Sequence, residues 1–192
     1  HRMVSLYDLL KRNEGSVSPV WTHHFRDMTN ALKDLSLWDG RTAFPNGKDW
    51  ADYLYGVCDI HYDFVGLQMM FGDGEARLLE QGKFRHLEWL QLNRGNGDFG
   101  PSNAEYVFNV NDAARLGYTY WIRQAHGCSR PVTQEQLESA HCKVLHSPHS
   151  KFVSVRDPQR FASWGWQGRR YRSTGKHTST GLILPSGHGL GD

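Results

Sequence analysis

Two acids, a histidine and a tyrosine interrupt an otherwise apolar stretch, Cys58-Asp59-Ile60-His61-Tyr62-Asp63-Phe64-Val65-Gly66. Carboxylates, an imidazole and a phenol can hold or pass protons. Burying them is costly unless they are paired, so their clustering in an apolar segment points to a site. On a helix Asp59 and Asp63, four residues apart, share a face and His61 points roughly opposite. The same residues also fit a polar helix face with one hydrogen-bonded core histidine, and taken alone the stretch favours that plainer reading.

Three further acids are candidates. Asp39 stands in Trp38-Asp39-Gly40-Arg41, where a carboxylate beside an indole and close to an arginine could hold a sugar or act as an acid or base. The same residues read equally as a helix-ending turn with a local ion pair. Asp98 lies in Asn-Arg-Gly-Asn-Gly-Asp-Phe-Gly-Pro-Ser, residues 93–102, a loop by composition, where exposed catalytic acids often sit. Asp112 falls at a predicted helix start, where acids are common for capping alone. Sharper motifs are missing. Six residues separate Gly168 from Gly175, whereas a phosphate loop needs four and a Ser or Thr where His177 stands. His141, His146 and His149 have no zinc-site spacing, Cys142 does not complete one, and there is no Gly-x-Ser-x-Gly elbow.

The elements that must position these groups are mostly helical. Trp21, Phe25, Met28, Leu32 and Leu35 recur at helical spacing, predicting an amphipathic helix that stops near Trp38-Asp39-Gly40. Pro45, Asn46 and Gly47 mark a turn. Trp50, Tyr53, Leu54 and Val57 lead into a long apolar segment ending at Phe71-Gly72, as one helix or two broken near Gly56. Residues 75–92 read as a helix interrupted at Gly82. Another is expected from Asn111-Asp112, carrying Ala113, Leu116, Tyr120 and Trp121 inward. Thr133-Gln134-Glu135-Gln136 is a capping-box pattern opening a helix to about Leu145. From Phe152 onward, short β-prone pieces alternate with Gly, Ser and Arg. The expectation is one compact, mainly α domain over residues 1–192, with a helical body at about 20–150 and an irregular, short-stranded, basic tail at 151–192.

Composition narrows the class. Hydrophobic residues are 39% and aromatics 12% of 192 residues, fitting one globular core. The seven tryptophans favour a large core, a sugar-binding groove, or both. No apolar run approaches the roughly 20 residues of a membrane helix, so no membrane insertion is expected. Of 22 Lys/Arg and 20 Asp/Glu, residues 151–192 hold seven and two, a net of +5, leaving 15 and 18, a net of −3, for residues 1–150. Such a tail suits attraction to a polyanion, whether cell wall or nucleic acid, or is ordinary solvated surface. Cys58, Cys128 and Cys142 make no disulfide framework. Cys128 and Cys142 could pair across a predicted turn, and Cys58 reads as a buried thiol. The chain begins at His1 without an initiator methionine, as expected of a processed protein or an excised domain.

The order of these motifs resembles the bacterial polymorphic toxin type 44 domain over roughly residues 20–145. The matching residues are Trp38-Asp39-Gly40-Arg41, the stretch Asp59 to Gly66, Leu78-Leu79, Gly97-Asp98-Phe99-Gly100, Asp112 with Gly117 and Tyr120, and Val132-Thr133-Gln134-Glu135-Gln136-Leu137. Arg41 stands where that family prefers Lys, and Asp59 and Asp63 where it often has Asn and Gly; Arg41 keeps the charge but not the proton transfer of a lysine. Secreted fungal relatives of this kind of domain are similar to muramidases. The resemblance therefore implies a secreted, extracellular peptidoglycan hydrolase that cleaves the glycan backbone; neither metal nor organic cofactor is implied, and a monomer is expected.

Glycoside hydrolysis needs a protonated acid beside the leaving oxygen and a second carboxylate as base or nucleophile. The candidates for these roles are two of Asp39, Asp59 and Asp112, with Asp39 ahead because it matches the resembling motif directly, and His61 would orient a carboxylate. Arg41, Tyr62 and Asp98 would bind substrate. The rivals are a nuclease with His61 as base, which the resemblance disfavours, and a cell-wall-binding module with purely structural acids.

Overall fold

In a computed structural model describing residues 2–39, 60–93, 106–149, 151–157, 160–165 and 181–182, the chain is mainly helical with a small antiparallel sheet near its C-terminal end. The helices are α1 (Arg2–Glu14), α2 (Phe25–Asp34), α3 (Ile60–Phe71), α4 (Gly74–Asn93), α5 (Tyr106–His126) and α6 (Gln134–His141), with a 3-10 turn at Pro19–Trp21. Strands β1 (Val144–Ser147), β2 (Phe152–Arg156) and β3 (Phe161–Gly165) form an antiparallel meander, and the short β4 (Gly181–Leu182) adds to β3. Among the described residues no helix is long and apolar enough to cross a membrane.

Helix α3 is the centre. It is apolar nearly all round, and such a helix must be buried. It packs against α1, α2, α4 and α5. Tyr62, Phe64, Val65 and Leu67 join Val4, Phe25, Ala76, Leu79, Ile122 and Leu137 in one core. Each fully buried large apolar side chain contributes about 1.5–3 kcal/mol. Gly66 makes the α1–α3 crossing possible, because a Cβ there would lie 2.4 Å from Val4 Cγ2. The helix ends where Gly72 takes a φ of 66°, donating its N–H to the Gln68 carbonyl at 2.9 Å. That left-handed conformation suits glycine at a helix C-terminus. Asp73 then opens α4 by accepting the Ala76 N–H at 2.9 Å.

The sheet is fastened to the helices by charge. Arg156 is buried at the end of β2 and makes a two-pronged contact with Glu138 of α6, both bonds 2.9 Å. It also donates to the carbonyls of Lys33 at 3.3 Å and Ser36 at 2.7 Å.

Several expectations change. The periodic helix over residues 21–35 exists, but Trp21 belongs to the 3-10 turn, Met28 is 64% exposed, and Phe25, Thr29 and Lys33 form the buried face. Its helical part ends at Asp34, before Trp38. α4 runs unbroken through Gly82. α5 begins at Tyr106, with Thr119 and Ile122 buried while Tyr120 and Trp121 are 64% and 45% exposed. The capping box at Thr133 and Gln136 is present in both directions, but α6 ends at His141 and β1 takes over at Val144. The first residues, left without an element by the sequence, form α1. Cys128 and Cys142 are free and exposed rather than paired.

Candidate active site around Tyr62 and Asp63

The first turn of α3 sets two groups against α1 and α5. Tyr62 is buried, its hydroxyl 2.6 Å from Ser5 Oγ and its ring 5.7 Å from that of Tyr118. Burial pushes the Tyr62 phenol up to about 12, and the nearby charges of Asp8 and Asp63 act in the same direction. Asp63, half-buried one residue on, has its carboxyl raised above the usual value by loss of solvent, which outweighs the opposing charge and hydrogen bond of the N-terminal ammonium.

Asp8 of α1 is fully buried yet behaves oppositely. Burial would raise it, but it accepts hydrogen bonds from Tyr118 at 2.7 Å, His126 Nε2 at 2.6 Å and Arg12, which together hold it below the usual value. Burial first, and then its hydrogen bond to that carboxylate, make the Tyr118 hydroxyl hard to ionise. The Arg12 guanidinium lies 3.6 Å over the Trp121 ring, closing the cluster on its outer side. An acid in an apolar run, Leu6-Tyr7-Asp8-Leu9-Leu10, is the sequence signal that marks this group.

Two carboxylates near one phenol therefore differ in proton affinity. Asp8, wrapped by three donors, cannot reach a substrate and acts as a fixed charge that positions Arg12, Tyr118 and His126. Asp63 retains solvent access. Among the described residues it is the carboxylate that burial pushes upward, whereas Asp8, Asp34 and Glu75 are held down.

A second charged cluster joins α2, α4, α6 and the sheet. His141 lies 2.6 Å from Asp34 through Nδ1 and 3.3 Å from Glu75 through Nε2. Lys33, buried, donates to Asp73 at 2.6 Å and Glu75 at 2.9 Å, and Lys143 reaches Asp34 at 2.7 Å. The His141 contact, then Lys33, brings Glu75 down to about 2 despite burial. Burial would lower His141, but the bonds to Asp34 and Glu75 outweigh it and raise the imidazole above its ordinary 6.5. These pairs fasten helices together. Among the described residues no group of three or more His, Cys, Asp and Glu is arranged to hold a metal.

The residues singled out from sequence are distributed unevenly. Asp39 is half-buried in the turn following α2, beside the partly exposed Trp38. Tyr62, expected to bind substrate, is a core residue whose hydroxyl meets Ser5. Arg41, Asp59 and Asp98 lie outside the described residues, as do the side chains of His61 and Asp112. The backbone of His61 is in the first turn of α3, and that of Asp112 in the second turn of α5 rather than at its start. No known protein family, curated protein or solved structure matches this chain. The chemistry is read from its own side chains.

Proposed function

We propose that the protein is a secreted peptidoglycan hydrolase, a muramidase, in which Asp63 is the proton donor. The observation that carries this reading is the half-buried Asp63 carboxyl, raised by burial at the start of α3. Loss of solvent shifts a carboxyl in the direction a general acid of glycoside hydrolysis needs, toward holding its proton. The choice of substrate is supported by the order of the motifs around Asp39, residues 59–66 and Asp112, and by the cationic segment 151–192, which suits a wall rich in carboxylates.

In this reading Asp63 protonates the glycosidic oxygen. The second carboxylate comes from Asp39, Asp59 or Asp112, since Asp8 is enclosed. A separation of about 5 Å between donor and partner implies retention, and roughly 6.5–9.5 Å implies inversion. His61 orients the partner acid, and Arg41 and Asp98 hold substrate.

Asp63→Asn removes the titrating proton without changing shape. It is expected to abolish clearing of a suspension of bacterial walls, with an unchanged circular dichroism spectrum. Asp39→Asn is expected to do the same if Asp39 is the partner. Near-normal clearing by Asp63→Asn would refute the donor assignment. Degradation of DNA or RNA without any clearing would replace the reading by a nuclease.

A further inference from the structure

An antiparallel sheet packed on one face ordinarily turns polar side chains to water on the other. Here the outward face departs from that pattern. The face toward the helices carries buried Phe152, Ser154, Arg156 and Ser163. The outward face is apolar apart from His146. Register places Val144, Val155 and Ala162 in one row across β1, β2 and β3, and His146, Val153 and Trp164 in the next. Val144, Val155 and Trp164 are 64%, 45% and 52% exposed. A contiguous apolar patch rimmed by charge marks an interaction surface rather than chance exposure.

The rim carries two cations and, in the β2–β3 turn, the carboxylate of Asp157, which accepts the Arg160 N–H at 2.8 Å. Lys151 closes the β1–β2 turn at one end of the rows, and Arg160 stands exposed in the β2–β3 turn at the other. Both belong to the segment 151–192, whose net charge by sequence is +5. The exposed indole of Trp164 suits the C–H face of a pyranose. Cations at the two ends of the rows suit carboxylates hanging from the sugar chain. We propose that the outward face of β1–β3 is a platform for the anionic glycan strand of peptidoglycan, with Trp164 as its stacking residue. This rests on the peptidoglycan reading above and adds a second contact with the wall, on the sheet rather than at the start of α3.

The test measures binding without turnover. The full chain carrying Asp63→Asn is sedimented with purified insoluble peptidoglycan, with and without chemical amidation of the wall carboxyls. Trp164→Ala is expected to weaken binding about ten-fold, the effect of losing one well-placed aromatic contact. Trp164→Tyr should retain most of the affinity, and amidation should weaken the parent chain. Should Trp164→Ala lower the melting temperature, Val155→Glu and Val155→Lys replace it, and the first alone should impair binding. Binding by Trp164→Ala within two-fold of its parent at equal thermal stability, or equal effects of Val155→Glu and Val155→Lys, would overturn the platform. So would a Trp164-dependent dimer in sedimentation velocity, since a second copy would then cover the face. If the chain without substitution cuts no wall yet binding depends on Trp164, the hydrolase reading fails and the platform stands. If it cuts walls and Trp164→Ala binds as its parent does, the platform alone fails.

Discussion

Replacing Glu75 by Gln should remove an acid-sensitive part of the protein's stability. Glu75 faces His141 Nε2 at 3.3 Å and Lys33 Nζ at 2.9 Å, and its pKa falls from 4.5 to about 2 in the fold. Each unit by which a group's pKa differs between folded and unfolded states is worth about 1.4 kcal/mol. Because the side chain is 28% exposed, solvent screens part of this, leaving about 2–3 kcal/mol. A depressed carboxylate stabilises fully above its unfolded value. Its contribution therefore disappears as pH falls from 4.5 through about 2. Urea unfolding followed by tryptophan fluorescence at pH 6, 4, 3 and 2 measures it directly. The native chain should exceed Glu75→Gln by about 2–3 kcal/mol at pH 6, and the gap should close toward pH 2. A gap that stays constant over this range, or is absent at pH 6, would refute the assignment of Glu75 to an ionic junction.

The same junction has an alkaline limb. His141 is raised, so its contribution is complete below pH 6.5 and is lost as pH rises through the higher folded value; an NMR titration of its ring should find a midpoint above 6.5. Arg156→Met should cost about 3–5 kcal/mol by leaving Glu138 buried without its partner, whereas Arg156→Met with Glu138→Leu should cost less, as chemical denaturation can show. Gly66→Ala should destabilise by about 1–3 kcal/mol in the same assay because its Cβ meets Val4, and Val4→Ala should restore part of the loss.

The helical architecture was legible where local chemistry dictates it. The capping box at Thr133 and Gln136 and the stop at Phe71-Gly72 fall where their residues demand. Helix faces were less legible, because the interior of α2 is built on Lys33 and Thr29. A buried lysine is invisible to hydrophobic periodicity when its partners, Asp73 and Glu75, lie far along the chain. Tyr120 and Trp121 misled for the converse reason: two aromatics on α5 face solvent, one of them under Arg12. The unusual stretch around residues 59–66 leads into α3, where Tyr62 and Asp63 meet distinct environments. Composition could not distinguish its acids. The raised affinity of Asp63 comes from how α3 is packed, and the ionised Asp8 depends on Tyr118 and His126, more than 100 residues away.

The central claim is that the protein opens the glycan backbone of peptidoglycan with a proton from Asp63. Mass spectrometry of the soluble products released from purified peptidoglycan tests it most directly. The native chain should yield fragments ending in reducing muramic acid, and Asp63→Asn should yield none. Free stem peptides, or the same fragments from both proteins, would contradict it.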